Sequence, residues 1–500
     1  MKPAAFFALL CACLVFAGPS DGAVRVGIAD NTVLGNADGG AAYLAVLNDI
    51  GLRELRLPVK WNPARPAEID NRRQIEALLP AAAGRGVNVA FSIQPGTATA
   101  VTASPQAASQ FVAFEQLVAR TFPTVQDIIV GNEPNQPYFW QPQFDTHGRN
   151  ISGAAYEALL AASYDALKAV NPRIDVIGLG LSSRGNDDRG ASGNVSTSPV
   201  RFLARVGAAY RASGRTRPLM DELAYHPYPR RDTDPLSAGI LWPNAGATNL
   251  DRIKQAVWDA FHGTAQRTFE DGLQVRLDEV GWQVAVPRRT LNAYFGDETV
   301  KPTTEAEQAS IYASLVRYEA CDPSVDALLF FGLRDEPNLS RWQAGLMRAD
   351  GSHRPSYRSV QAVLAQTGGN CAGTLRTWRH STSVDAAAAD FPRLRRLPAR
   401  IGSWSFTASA GEDARFRAAV FRVRNGRRPV RILDQRGRIE AHVTRTVRFH
   451  SRLAPGRYFY AIRFRAEANR DRKTLIKSRR FIVKPARSGL GGGPRRHRSR

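Results

Sequence analysis

Ile128, Ile129, Val130, Gly131, Asn132, Glu133, Pro134 and Asn135 form an apolar run that ends in a carboxylate set between two amides. The segment from Val125 to Val130 is short and rich in branched side chains, as expected of a parallel strand covered on both faces. Pro134 disfavours helical geometry at the residue before it, so Glu133 is expected to stay extended at the strand tip. The stretch reads as a buried strand ending in an acid.

The same unit recurs along the chain. Eight strands are expected, at 24–29, 54–59, 87–93, 125–130, 174–181, 220–228, 274–279 and 325–331. Helical signals lie between them. Tyr156, Leu159, Leu160, Tyr164 and Leu167 make an i, i+3, i+4 stripe, Ser104 before Pro105 is a helix start, and Thr304 with Glu307 is a capping box. Eight strand–helix units argue for an α/β fold, a (β/α)8 TIM barrel over residues 24–370, with functional groups at the C-terminal ends of the strands. Polar residues fall there. Strand two carries Arg56 with Trp61 close behind, strand four ends in Asn132 and Glu133, strand six in His226 and Tyr228, and strand seven in Asp278, Glu279 and Trp282. Any one of these has a plain structural explanation, such as an ion pair, a satisfied core histidine or rim packing. Their coincidence at one rim is harder to obtain by chance.

These residues resemble the clan A retaining glycoside hydrolases. Asn132, Glu133 and Pro134 resemble the clan's Asn-Glu-Pro signature, in which the Glu is the general acid/base. Arg56 resembles the strand-two Arg, His226 and Tyr228 the strand-six His-x-Tyr, and Glu279 the strand-seven nucleophile, followed by Gly281 and Trp282. The likeness covers about residues 24 to 365 and is similar to families 5 and 39. It implies a carboxylic acid that protonates the leaving oxygen and a second carboxylate about 5 Å away that attacks the anomeric carbon. Glu133 would be acid and then base, and Glu279 the nucleophile. Arg56 and Tyr228 would hydrogen-bond Glu279 and keep it ionised, and Asn132 would hold the sugar 2-hydroxyl. Side chains alternate along a strand, so only one of Asp278 and Glu279 is expected to face the barrel axis, and the resemblance selects Glu279. One departure stands out: where the clan has a Trp after strand eight, this chain has Phe330, Phe331 and Gly332, and Trp342 is the candidate substitute platform. Tyr138, Phe139 and Trp140 follow the acid and are candidates for stacking on sugar faces. The rival readings are a non-catalytic glycan-binding barrel and a transglycosylase.

The flanking segments set the context. Lys2, the apolar run Ala4 to Ala17 and small residues at Ser20 to Ala23 make 1–23 a signal peptide, so the mature protein is expected to be secreted. Cys13 lies inside that run, which disfavours a lipoprotein site, and no other stretch approaches the ~20 apolar residues of a membrane span. Cys321 and Cys371 remain, and an even pair in an exported protein favours a disulfide. No metal-ligand spacing, phosphate-cradling glycine loop or Ser/His/Asp elbow occurs, and neither metal nor cofactor is expected.

Charge marks a boundary. Residues 1–370 carry 35 basic against 37 acidic side chains, and residues 371–500 carry 33 against 8, so the net +23 lies at the C-terminal end. A linker is expected at 371–399, including Ala386 to Ala389. In 400–486, Tyr458, Tyr460, Ile462 and Phe464 alternate with Arg463 and Arg465, and Phe421 and Val423 with Arg422 and Arg424, as in strands. The turn from Leu453 through Gly456 to Tyr458 resembles the tyrosine corner of immunoglobulin-like sandwiches. The Arg- and Gly-rich tail, 487–500, is expected to be disordered. This basic module is expected to meet anionic cell-surface or matrix polymers, with nucleic acid an incidental partner given export.

Overall fold

Short runs of branched residues alternate with amphipathic stretches, and they close into a barrel with the strand order β1-β2-β3-β4-β5-β6-β7-β8. The computed structural model describes residues 22–392, 396–397 and 403–485. The signal peptide expected at 1–23, with Cys11 and Cys13, lies outside the described residues except for Gly22 and Ala23, as does the tail at 487–500. The strands are β1 (Arg25–Ala29), β2 (Glu54–Trp61), β3 (Asn88–Pro95), β4 (Asp127–Val130), β5 (Asp175–Ser182), β6 (Glu222–His226), β7 (Gln274–Val280) and β8 (Val325–Phe331). The helices are α1 (Ala41–Ile50), α2 (Arg72–Ala83), α3 (Pro105–Thr121), α4 (Ser152–Val170), α5 (Pro199–Ser213), α6 (Leu250–Phe261), α7 (Glu305–Glu319) and α8 (Pro355–Thr367). All eight expected strands form. Ser104 caps α3 by accepting from the Ala107 amide at 3.1 Å, and the Thr304–Glu307 capping box opens α7. No helix among the described residues is long and apolar enough to cross a membrane.

Packing divides the described residues into two units, one drawn from 22–58, 71–91 and 274–377 and the other from 59–70, 92–273 and the described part of 378–485. In the first, a charged cluster lies at the N-terminal ends of the strands. The fully buried Arg276 sits 3.1 Å from Glu54, which also pairs with Arg25 at 2.5 Å and accepts from the Asn88 amide. A cluster at this end of a barrel serves stability, away from the functional rim. The Cys321–Cys371 disulfide closes a separation of 50 residues from the end of α7 to beyond α8.

The second unit includes an all-β module. Strands β9 (Ala388–Asp390), β10 (Arg396–Leu397), β11 (Ser403–Ser409), β12 (Ala414–Arg424), β13 (Arg427–Ile439), β14 (Arg445–His450), β15 (Gly456–Ala466), β16 (Lys473–Lys477) and β17 (Phe481–Val483) form two sheets. One has the order β10-β17-β15-β12-β13 with β16 beside β15, and the other β14-β11-β9. Trp404, Phe406, Phe416, Phe449, Tyr460 and Phe464 fill a shared core. Tyr458, Tyr460, Ile462 and Phe464 are buried as their alternation implies, and the Tyr458 hydroxyl donates to the Ala454 carbonyl at 2.6 Å. Val384 is part of this core and β9 pairs with β11, so module structure begins within the stretch expected as a linker. Arg472, almost fully buried, joins Asp259 of α6 at 2.9 Å to Glu412 of the module at 2.7 Å.

Candidate active site

The acid loop departs from its expected backbone. Glu133 is not extended; its φ is +37°. Left-handed geometry at a non-glycine residue costs on the order of 1–3 kcal/mol and persists only when surroundings enforce it. They do so here. The Glu133 amide donates to the Gly180 carbonyl at 2.9 Å, and the Gln136 amide closes a turn on the Glu133 carbonyl at 2.8 Å. Asn135 is buried and ties the loop to the end of β5, donating to Ser182 and Thr197 carbonyls and accepting from the Ser182 amide. The proline preference acting on Glu133 is thus overridden by tertiary hydrogen bonds.

Strand β5 is distorted to meet this loop. Leu179 and Gly180 both have positive φ, and the pairing with β6 shifts register between Leu179 and Leu181. Tyr156 of α4 supports both strand ends: its hydroxyl donates to the Val130 carbonyl and accepts from the Leu179 amide, each at 2.8 Å. A bulge beside a functional residue re-aims the side chains next to it. Opposite the loop, fully buried His226 ends β6 with Nδ1 2.8 Å from Glu133 Oε1. Protonated at Nδ1, the ring donates to that carboxylate and fixes its rotamer. His226, expected among the sugar contacts, therefore also positions Glu133. Asn132 is buried at the strand tip, and Tyr228 is buried with its amide donating to the His226 carbonyl at 2.9 Å.

In the first unit, Arg56 of β2 is buried and meets both strand-seven acids. Its Nη1 donates to Glu279 Oε1 at 2.6 Å, and its Nε lies 2.9 Å from Asp278 Oδ2. Contact with Arg56 is thus not confined to Glu279, the acid selected by the resemblance. The β7–β8 register shifts between Leu277 and Val280, so strict alternation fails at these two residues and both carboxylates reach one guanidinium. Asp278 is wholly buried, whereas Glu279 keeps 11% of its side chain accessible. Of the two, Glu279 is the one a ligand can reach.

The aromatic residues divide by location. Trp61 is fully buried and packs edge-on against Phe111 of α3 at 5.6 Å, while Trp140 is buried against Tyr156 at 5.7 Å. As placed, both fill the layer between strands and helices. Trp282 is buried against Tyr312, and its carbonyl accepts from Gln308. Trp342 folds back onto Phe331, the last residue of β8, at 5.6 Å and stays half-buried. Tyr138 is 77% exposed, with its ring edge-on to Phe139 at 4.9 Å.

No family model matches the sequence, and no curated protein matches it. Solved structures do. A family 39 glycoside hydrolase from the gut symbiont Bacteroides cellulosilyticus is similar over 84% of this chain and 81% of its own, with a TM-score of 0.50 and 16% identity. A GH5_18 protein from Streptomyces cattleya in complex with GlcNAc is similar over 76% and 85%, with a TM-score of 0.46 and 15% identity. At this identity the likeness to the family 39 structure is one of fold.

Proposed function

We propose that this protein is a secreted retaining glycosidase that cleaves O-glycosidic bonds, β-linked ones in our reading, of an oligo- or polysaccharide by double displacement. The observation that carries the reading is the pairing of each acid at a strand end with its own buried partner, Glu133 with His226 and Glu279 with Arg56. Glu133 serves as general acid and then base, its carboxyl oriented by His226 Nδ1 at 2.8 Å. Glu279, held by a fixed cation, serves as nucleophile. Asn132, Tyr228, Trp282 and Trp342 contribute to the sugar site, with Trp342 on Phe331 standing in for a strand-eight Trp. The alternating strands and the Tyr458 hydrogen bond support an immunoglobulin-like module. Its positive charge suits retention on anionic polymers outside the cell.

Turnover on a panel of aryl glycosides and oligosaccharides tests this. Glu279→Gln is expected to lower kcat by about 10⁴-fold or more on every substrate. Glu133→Gln is expected to cost roughly 10²–10⁴-fold on poor leaving groups and much less on those that need no proton. Equal losses from Glu133→Gln across the leaving-group series would contradict its role as acid.

A further inference from the structure

The sheet of the C-terminal module has an inner face in the core and an outer face whose side chains follow from its register. Arg415 of β12 stands opposite Arg438 on β13 and Arg465 on β15, and Arg465 stands opposite Lys473 on β16. Two residues along, Arg417 stands between Arg436 and Arg463. The next rung holds the small Ala419 and Ala461 between Asp434 and Lys477, and beyond it Phe421 and Phe459 stack on each other at 5.1 Å. Strands lie about 4.8 Å apart and alternate residues about 6.6 Å apart, so these cations form a two-dimensional array.

Like charges directly opposite one another on a sheet destabilise it. Asp434 pairs with Arg417 and Arg436, Glu467 with Arg438 and Arg415, and Asp413 with Arg438, but Arg463, Arg465 and Lys477 have no acidic partner among the described residues. Each of the two rungs thus keeps an uncompensated arginine, Arg465 in the first and Arg463 in the second, at a cost to folding that an external polyanion would remove. The first rung also opens into a cleft of about 790 Å³, where Arg415, Arg438 and Arg465 face Arg205 of α5; its three carboxylates, Asp187, Asp413 and Glu467, are engaged by Arg201 and Arg438, and Phe144 and Trp242 complete the lining.

We propose that this outer face and its cleft bind an anionic polysaccharide, carboxylated or sulfated, laid across the strands. The proposal rests on the glycosidase reading for the kind of polymer and on the register for the site. Arginine forks bind carboxylate and sulfate oxygens in pairs, which suits a repeating acid group. Single-stranded nucleic acid needs a series of aromatic platforms for its bases, whereas the two Phe rings on the sheet face are spent on each other and Trp242 in the cleft is stacked by Arg201 at 5.3 Å. A membrane needs an apolar wedge, and Leu475 is the one large aliphatic side chain on these rungs.

The test uses the whole chain and polygalacturonate as probe. The triple variant Arg463→Gln, Arg465→Gln, Lys477→Gln breaks no ion pair, so it should keep or raise the melting temperature. At low salt its affinity should fall by roughly tenfold or more, since each cation near an anionic surface adds separately to attraction. A control triple at exposed barrel positions, Arg73→Gln, Arg120→Gln and Arg173→Gln, should change affinity less than about twofold by the same reasoning. Hydrolysis of a soluble neutral aryl glycoside should be unchanged in both. Unaltered binding by the first triple, an equal loss in the control, or stronger competition by single-stranded DNA or phosphatidylglycerol vesicles than by free polygalacturonate would overturn the proposal. Binding lost in the first triple, in a chain that turns over no glycoside, would keep the surface and remove the glycosidase reading.

Discussion

Glu115 of α3 is a buried acid that the proposed chemistry does not use. Burial raises its pKa to about 8, with only the Ser163 hydroxyl nearby to offset it. An unfolded Glu ionises near pH 4.3, so between there and about 8 the unfolded chain has lost a proton that the folded chain keeps. Stability from this group is fully present below the unfolded value and falls as pH rises through the window. Glu115→Gln should therefore gain stability over wild type as pH increases, by on the order of 3 kcal/mol at pH 7. Urea unfolding from pH 4 to 8 checks this, and a pH-independent difference would contradict it. Glu133 was legible as an acid because a residue type and a strand end are both visible in sequence. Its partner was not: the His226 contact depends on a bulge at Leu179 and Gly180 and on a strained turn, which no local propensity encodes.

Among the elements, the eight strands were legible because branched apolar runs between helical stripes leave few alternatives. Register was not. The irregularity between Leu277 and Val280 brings Asp278 as well as Glu279 to Arg56, and period-two reasoning cannot anticipate it. The Arg276 cluster at the opposite end was also missed, since its members are single charges at strand starts with nothing in sequence to associate them. Arg276→Met leaves Glu54 buried with less compensation and should cost about 3–5 kcal/mol. Thermal unfolding should register this while kcat of the folded fraction stays at the wild-type value; a loss of kcat would mean that the cluster reaches the functional rim.

Over the full chain, charge marks a basic C-terminal part, but composition could not reveal how its strands are tied to α6. Burial raises the pKa of Asp259 and of Glu412, and Arg472 holds both. Arg472→Ala should cost about 3–5 kcal/mol and split calorimetric unfolding into two transitions; one unshifted transition would contradict a shared ion pair of that weight. The Cys321–Cys371 bond, with a separation of 50, should contribute roughly 4 kcal/mol by the loop-entropy model, and titratable thiols in the unreduced protein would remove it. Covalent catalysis at the end of strand seven is the step on which the glycosidase reading depends. It can be trapped by incubation with a 2-deoxy-2-fluoro glycoside bearing a good leaving group, followed by peptide mass analysis, because a retaining enzyme accumulates a glycosyl ester on its nucleophile. The expected result is a stoichiometric adduct on Glu279; a label on Asp278, or turnover with inverted anomeric configuration and no adduct, would contradict it.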